Sequence, residues 1–232
     1  SNAQLAAVAF SDSFYNAVRH EYAVCAYINR AAAISEYSAR LAHGVADANA
    51  LVTQAESAEA SGTDAYGAFT CARNAQKALS SLAVTAQQLS VLDSARGLDT
   101  MRSIGVLSSR CRAIASRIKP LLTFSVQLQN DDDGSIALTV QSLLESRGFS
   151  CDSAQPRYRI TGAVRMTESQ NAVGVFVRPA LTLSVTAPDG SVVGSYSRQY
   201  PKYGHNNLDG ARAKARVEIE KDVKSQLLDA LF

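Results

Sequence analysis

The sequence predicts an α+β protein in which a long antiparallel helical hairpin precedes a small β-α-β-β-β-α domain, its helices on one face of a mostly antiparallel sheet. Three observations predict it. An Ala-rich stretch from about Ala31 to Ser94 repeats its apolar residues every three or four positions, broken only at Ala60-Ser61-Gly62-Thr63-Asp64. From Leu121 the period changes to two, and the chain closes on another repeat of three and four. These are the spacings of a helix and of a strand with one buried face. The expected division is 4–97 for the helical hairpin region and 98–232 for the α+β domain. Ser1-Asn2-Ala3 reads as the remnant of a cleaved purification tag, which places the natural N-terminus upstream.

From Phe14 to Arg30, the residues Phe14, Tyr15, Val18, Tyr22, Cys25 and Ile28 follow a helical period, so helix is expected there, leading into the first arm. In the arms, Ile34, Tyr37, Leu41, Val45, Ala48, Val52 and Ala55 mark one stripe and Phe69, Ala72, Ala75, Leu79, Leu82, Ala86 and Leu89 the other. Gly62 is placed to end the first helix and Asp64 to cap the second. Arms of roughly thirty residues reach about 45 Å at the helical rise. Rods of that length suit a spacer or a coiled-coil docking surface. Ala95-Arg96-Gly97 reads as a turn, after which Val106 or Leu107, Cys111, Ile114 and Ile118 form a further helix ended by Pro120.

Leu122, Phe124, Val126 and Leu128 alternate with polar residues as a half-buried strand does. The run Asn130-Asp131-Asp132-Asp133-Gly134 lacks the acid at Gln129 and the glutamate at Val140 that a calcium loop needs, so it reads as a turn capping the helix Ile136 to Arg147. Extended segments follow over Tyr158–Thr167, Gly174–Ala187 and Ser191–Tyr200, the last two joined at Pro188-Asp189-Gly190. Asn207 or Asp209 caps a final helix whose inner face is Ala211, Ala215, Ile219, Val223, Leu227 and Leu231.

With 232 residues and 47% hydrophobic composition the chain can bury a real core. Its net charge of +2 does not mark a nucleic-acid or membrane-surface protein. No apolar run approaches the roughly 20 residues of a membrane-crossing helix. Cys25, Cys71, Cys111 and Cys151 stand far apart, which excludes CxxC motifs; they read as free cysteines, with one or two disulfides open in an oxidising compartment. His20 and His43 lack metal-ligand spacing. No phosphate loop, nucleophile elbow or metalloprotease helix is present, so neither cofactor nor enzymatic activity is expected.

Two stretches are candidate functional sites. Arg102, Arg110, Arg112, Arg117 and Lys119 crowd one helix against Asp99, as a patch for phosphate or acidic head groups would, or as a solvated face. The loop Tyr200 to Asn207, with Tyr203 and His205, joins the last strand to the last helix, where loops often carry function. Cys151 with His205 would nominally supply a nucleophile and a base.

The stretch Tyr22 to Ala31 resembles the "YYALAVLDRAKA" segment that opens a long helical region in bacterial outer-membrane lipoproteins of the twenty-kilodalton lipoprotein antigen family. Tyr22, Ala23, Ala26 and Arg30-Ala31 match it; Cys25 and Asn29 depart from it. Arg157 to Val164 is similar to the "ADYVLTGRV" strand of periplasmic domains related to the curli secretion lipoprotein and to the amino-terminal domain of the Tol-system propeller protein. Leu181 to Thr186 with Asp189-Gly190 is similar to the strand and turn that follow there. The resemblance implies a lipid-anchored periplasmic protein at the outer membrane, with the anchoring cysteine upstream of residue 1, and brings no catalytic residue. A non-enzymatic envelope module that contacts other envelope proteins or itself is therefore expected. The alternative is a module holding nucleic acid or an anionic ligand on its sheet face or on the Arg102 to Lys119 patch.

Overall fold

The breaker cluster between the two Ala-rich stripes is where the first helices reverse. A computed structural model describes residues 8–151 and 155–232; Ser1-Asn2-Ala3 lies outside the described residues. Helix α1 (Arg30–Ser61) ends at Gly62, whose φ of +68° is open to glycine and strained for other residues. Helix α2 (Ala65–Leu92) begins where the Asp64 carboxylate accepts the Gly67 N–H at 2.7 Å, a side-chain cap. Tyr37, Leu41 and Val52 on α1 and Phe69, Leu79 and Leu89 on α2 are buried with the alanines of their stripes, while Ile34, Val45 and Leu82 are half-buried.

The expected turn at Ala95-Arg96-Gly97 is instead the first turn of a third long helix, α3 (Ser94–Ile118). Asp93 alone separates it from α2 and caps it, its carboxylate accepting the Arg96 N–H at 3.1 Å. Gly97 serves close approach, because a Cβ there would lie 2.4 Å from the Ser90 Cα. Pro120 falls in a 3-10 turn, Lys119–Leu121, after α3 has ended.

The helix expected over Phe14 to Arg30 is replaced by two strands, β1 (Val8–Asn16) and β2 (Glu21–Ile28), paired antiparallel as a ribbon. Tyr22, Val24, Ala26 and Ile28 alternate as faithfully as Tyr22, Cys25 and Ile28 follow a helical period, so periodicity alone does not separate the two in so short a window. Aromatic and β-branched side chains tip the balance to strand. Asn16 shapes the turn, accepting the N–H groups of Val18 and Arg19 at 3.1 and 3.2 Å, and His20 takes a φ of +52°.

Two compact units divide the chain: one runs up to Glu56 and resumes over Cys71–Ala113, the other holds Ser57–Thr70 and Ile114–Phe232. In the first, Arg30 donates through Nε and Nη2 to the Leu92 carbonyl at 3.0 and 2.5 Å, closing the C-terminal end of α2.

The second unit is the α+β part, with β3 (Phe124–Gln129), α4 (Ser135–Ser146), β4 (Tyr158–Asn171), β5 (Gly174–Thr186) and β6 (Val192–Gln199), then β7 (Tyr203–His205) and α5 (Leu208–Leu231). The strands run in the order β3-β4-β5-β6, and β7 also pairs with β5. Only β3 and β4 are parallel, so α4 serves as their crossover. The acidic run is the entry to α4: Asp131 accepts the Ala137 N–H at 2.8 Å, and Asp133 accepts the Ser135 N–H at 3.2 Å and an Arg216 N–H at 2.8 Å. The Ser135 N–H foremost, with Arg216 beside it, holds the Asp133 carboxyl below its usual range.

The inner stripe of α5 is buried as expected, and Asn207 caps the helix by accepting the Gly210 N–H at 2.8 Å. At the other end Phe232 stacks on Phe149, centroids 5.1 Å apart, and Phe124, Tyr158, Tyr66 and Phe69 surround the pair. Tyr66 and Phe69 come from the first turns of α2, within the Ser57–Thr70 stretch that belongs to this unit. The Tyr66 hydroxyl donates to the Leu231 carbonyl, and its backbone N–H to the Tyr158 hydroxyl at 3.1 Å. Burial pushes the Tyr66 phenol far above its ordinary pKa.

Candidate functional site

The segment Tyr200 to Asn207 is not a free loop: β7 occupies Tyr203–His205 and pairs with Val175–Val177 of β5. Tyr203 packs partly buried beside Val177, Ala211 and Ala215. His205 accepts the Asn207 N–H through Nδ1 at 3.4 Å and sits so close to Gly210 that a Cβ there would lie 2.1 Å from that nitrogen. With Lys214, Val217 and Glu218 these residues line an open cleft of about 480 Å³. Lys214 is turned onto the Gly204 carbonyl at 3.2 Å.

Tyr200 faces the other way and joins a polar cluster that the sequence reading missed. Its hydroxyl donates to Asp222 Oδ2 at 2.7 Å, and the Tyr196 hydroxyl donates to the same oxygen. Arg198 Nη2 stands 3.6 Å from the other carboxylate oxygen. Asp222 is 12% exposed, so the partners it has in the protein largely replace water. Burial, reinforced by hydrogen bonding to this carboxylate, pushes Tyr196 up to about 12 and Tyr200 higher still. Both phenols therefore stay protonated donors near neutrality, and the cluster clamps β6 to α5. The available signal was an acid on the flank of the Ala215-Ile219-Val223 stripe; its partners follow only from the sheet's register.

The basic stretch is spread along α3. Arg102 to Lys119 spans about 25 Å of helical rise. Arg110 and Arg117, seven positions apart, share a face that Arg112 is turned away from. Arg110 meets Glu56 through two hydrogen bonds at 2.9 and 2.7 Å, and Arg117 meets Glu59 likewise at 2.6 and 2.8 Å. Arg102 pairs with Asp99 at 2.8 Å, Arg112 reaches the Ser108 carbonyl at 3.3 Å, and the Lys119 ammonium lies 5.4 Å from the Phe149 ring centroid. The hydrogen bond to Glu56 raises the Arg110 pKa further.

Cys151 and His205 belong to opposite ends of the sheet. Ser150 bridges Thr123 just before Phe124, whose partner Tyr158 begins β4 at the Thr186 end of β5. His205 pairs with Val175, about 36 Å away along β5 at the extended rise. Cys25 is an exposed thiol and Cys111 a buried one. Among the described residues no group of three or more His, Cys, Asp or Glu is placed to hold a metal ion, and no helix is long and apolar enough to cross a membrane.

Two further surfaces stand out among the described residues. One is the outer face of the sheet, where Arg159, Arg165 and Arg178 are exposed among Ser, Thr and Gln. Arg178 lies diagonal to Arg165, which is opposite Ala180. The other is the β1–β2 ribbon. Every described side chain of β2 is exposed, including Tyr22 at 77%, and so are Phe10 at 72% and Phe14 at 64% on β1. By register Val8, Phe10, Tyr15, Tyr22, Val24 and Ile28 share one face.

No protein-family model matches the chain, and no curated protein sequence matches it. Among solved structures the chain is similar to a minor lipoprotein from Acinetobacter baumannii, with a TM-score of 0.32 and 14% identity over 46% of this chain and 89% of that one. It is also similar to the PelC dodecamer from Paraburkholderia phytofirmans, with a TM-score of 0.31 and 18% identity over 46% of this chain and 86% of that one. The likeness covers less than half of this chain.

Proposed function

We propose that this chain is the periplasmic part of a non-enzymatic bacterial cell-envelope lipoprotein, anchored by lipid to the outer membrane and working through protein contact. The observation that carries this reading is the β1–β2 ribbon, whose aromatic and aliphatic side chains are exposed on both of its faces. An apolar surface of that extent marks an interaction site. The resemblance of Tyr22 to Ala31 to the lipoprotein segment supports the compartment. Labelling the native gene product with a fatty acid, fractionating the cells and cross-linking the envelope tests it. Labelled protein cross-linked to other envelope components is the expected result; unlabelled protein in the cytosol would overturn it.

A second reading has its own observation. Arg159, Arg165 and Arg178 form a basic stripe on an open, hydroxyl-rich sheet face, suited to an anionic ligand or a nucleic-acid backbone. It predicts oligonucleotide binding that weakens steeply with salt. Negligible binding at low salt removes it.

A further inference from the structure

The β1–β2 ribbon is a two-stranded sheet, and a ribbon of that size is at best marginally stable until a third strand or a packing surface joins it. Its exposed large side chains divide between two faces, Val8, Phe10, Tyr15, Tyr22, Val24 and Ile28 on one and Phe14 and Tyr27 on the other.

The two edges of the ribbon differ. On β1 the ladder is interrupted by a bulge between Ser11 and Ser13, which blunts an edge against pairing. The β2 edge is regular over eight residues and has no charge, proline or glycine from Tyr22 to Ile28. It therefore lacks the devices by which natural edges avoid one another.

Placed antiparallel to itself about Cys25, this edge is self-complementary. Tyr22 falls opposite Ile28 of the second copy, Ala23 opposite Tyr27 and Val24 opposite Ala26. An aromatic meets a β-branched residue, each remaining large residue meets a small one, and no like charges oppose. A lipid bilayer is a poor occupant by comparison. Both edges would carry unpaired backbone groups into hydrocarbon, and the tip would carry Arg19, His20 and Glu21 with it.

We infer that a second copy of this chain docks on the β2 edge, antiparallel and centred on Cys25, so that two ribbons become one four-stranded sheet. The inference rests on the reading of the chain as a protein-contact module and names the contact. Sedimentation velocity of the full chain across roughly 1–100 µM tests it, a range that brackets micromolar association. The wild-type chain and Cys25→Ser should sediment as dimers. Cys25→Lys sets two ammonium groups opposite each other and should weaken dimerisation at least tenfold, with far-ultraviolet dichroism unchanged. Under diamide the wild-type chain should give a disulfide-linked dimer that Cys25→Ser does not, since directly opposed residues lie within disulfide reach. A wild-type monomer throughout the range, or a dimer indifferent to Cys25→Lys, would overturn the inference. So would a monomer that floats with phosphatidylethanolamine and phosphatidylglycerol vesicles. None of these outcomes depends on lipid labelling or cell fractionation, so failure here is distinct from failure of the envelope reading.

Discussion

Asp222 takes the hydroxyl protons of Tyr196 and Tyr200 on a single oxygen, and its role is set by what would be left if it were removed. Asp222→Ala strands two phenols away from water at a cost of about 1–3 kcal/mol each. Its urea denaturation should lose about 2–6 kcal/mol, against about 1 kcal/mol for Tyr200→Phe, which deletes one donor. The same pair dictates behaviour in alkali. Tyr196 ionises near 10 in the unfolded chain and at about 12 in the fold. The folded state therefore keeps a proton that the unfolded state releases above pH 10. The stabilisation is whole below pH 10 and is lost as pH climbs through 12. Urea midpoints should fall over that window, and fall less in Tyr196→Phe; equal slopes in the two proteins would contradict the assignment.

At the scale of elements, Gly97 is the informative position. A methyl group there meets the Ser90 backbone, so Gly97→Ala should destabilise the junction of α2 and α3 by about 1–3 kcal/mol, read as a lower urea midpoint. An unchanged midpoint would show that the junction can open. This glycine also shows where a sequence reading goes astray, because a breaker in a turn and a breaker at a close contact look alike in one dimension. The reversal at Gly62 and Asp64, the hairpin at Pro188-Asp189-Gly190 and the inner face of α5 were legible, since each rests on local turn chemistry or on a long period. The ribbon was not, because eight residues of β2 satisfy both periods. Tyr200, Tyr203 and His205 were picked out as one loop, and the structure divides them. Tyr200 turns to Asp222, Tyr203 to the α5 packing and His205 to an open cleft, through a β5–β7 pairing that only tertiary structure specifies.

Over the whole molecule, ion pairs tie the long helices to one another. The Arg110–Glu56 and Arg117–Glu59 pairs are partly exposed, so breaking either should cost no more than about 1 kcal/mol. They hold helices in place and leave those guanidinium groups already engaged. The apolar ribbon and the arginine-bearing sheet face call for partners of opposite chemistry. A photo-reactive amino acid placed at Tyr22, with a second variant carrying it at Arg178, decides between them in intact cells. The account predicts protein adducts in the envelope fraction from position 22; adducts from position 178 alone, or a cytosolic chain with none from position 22, would contradict it.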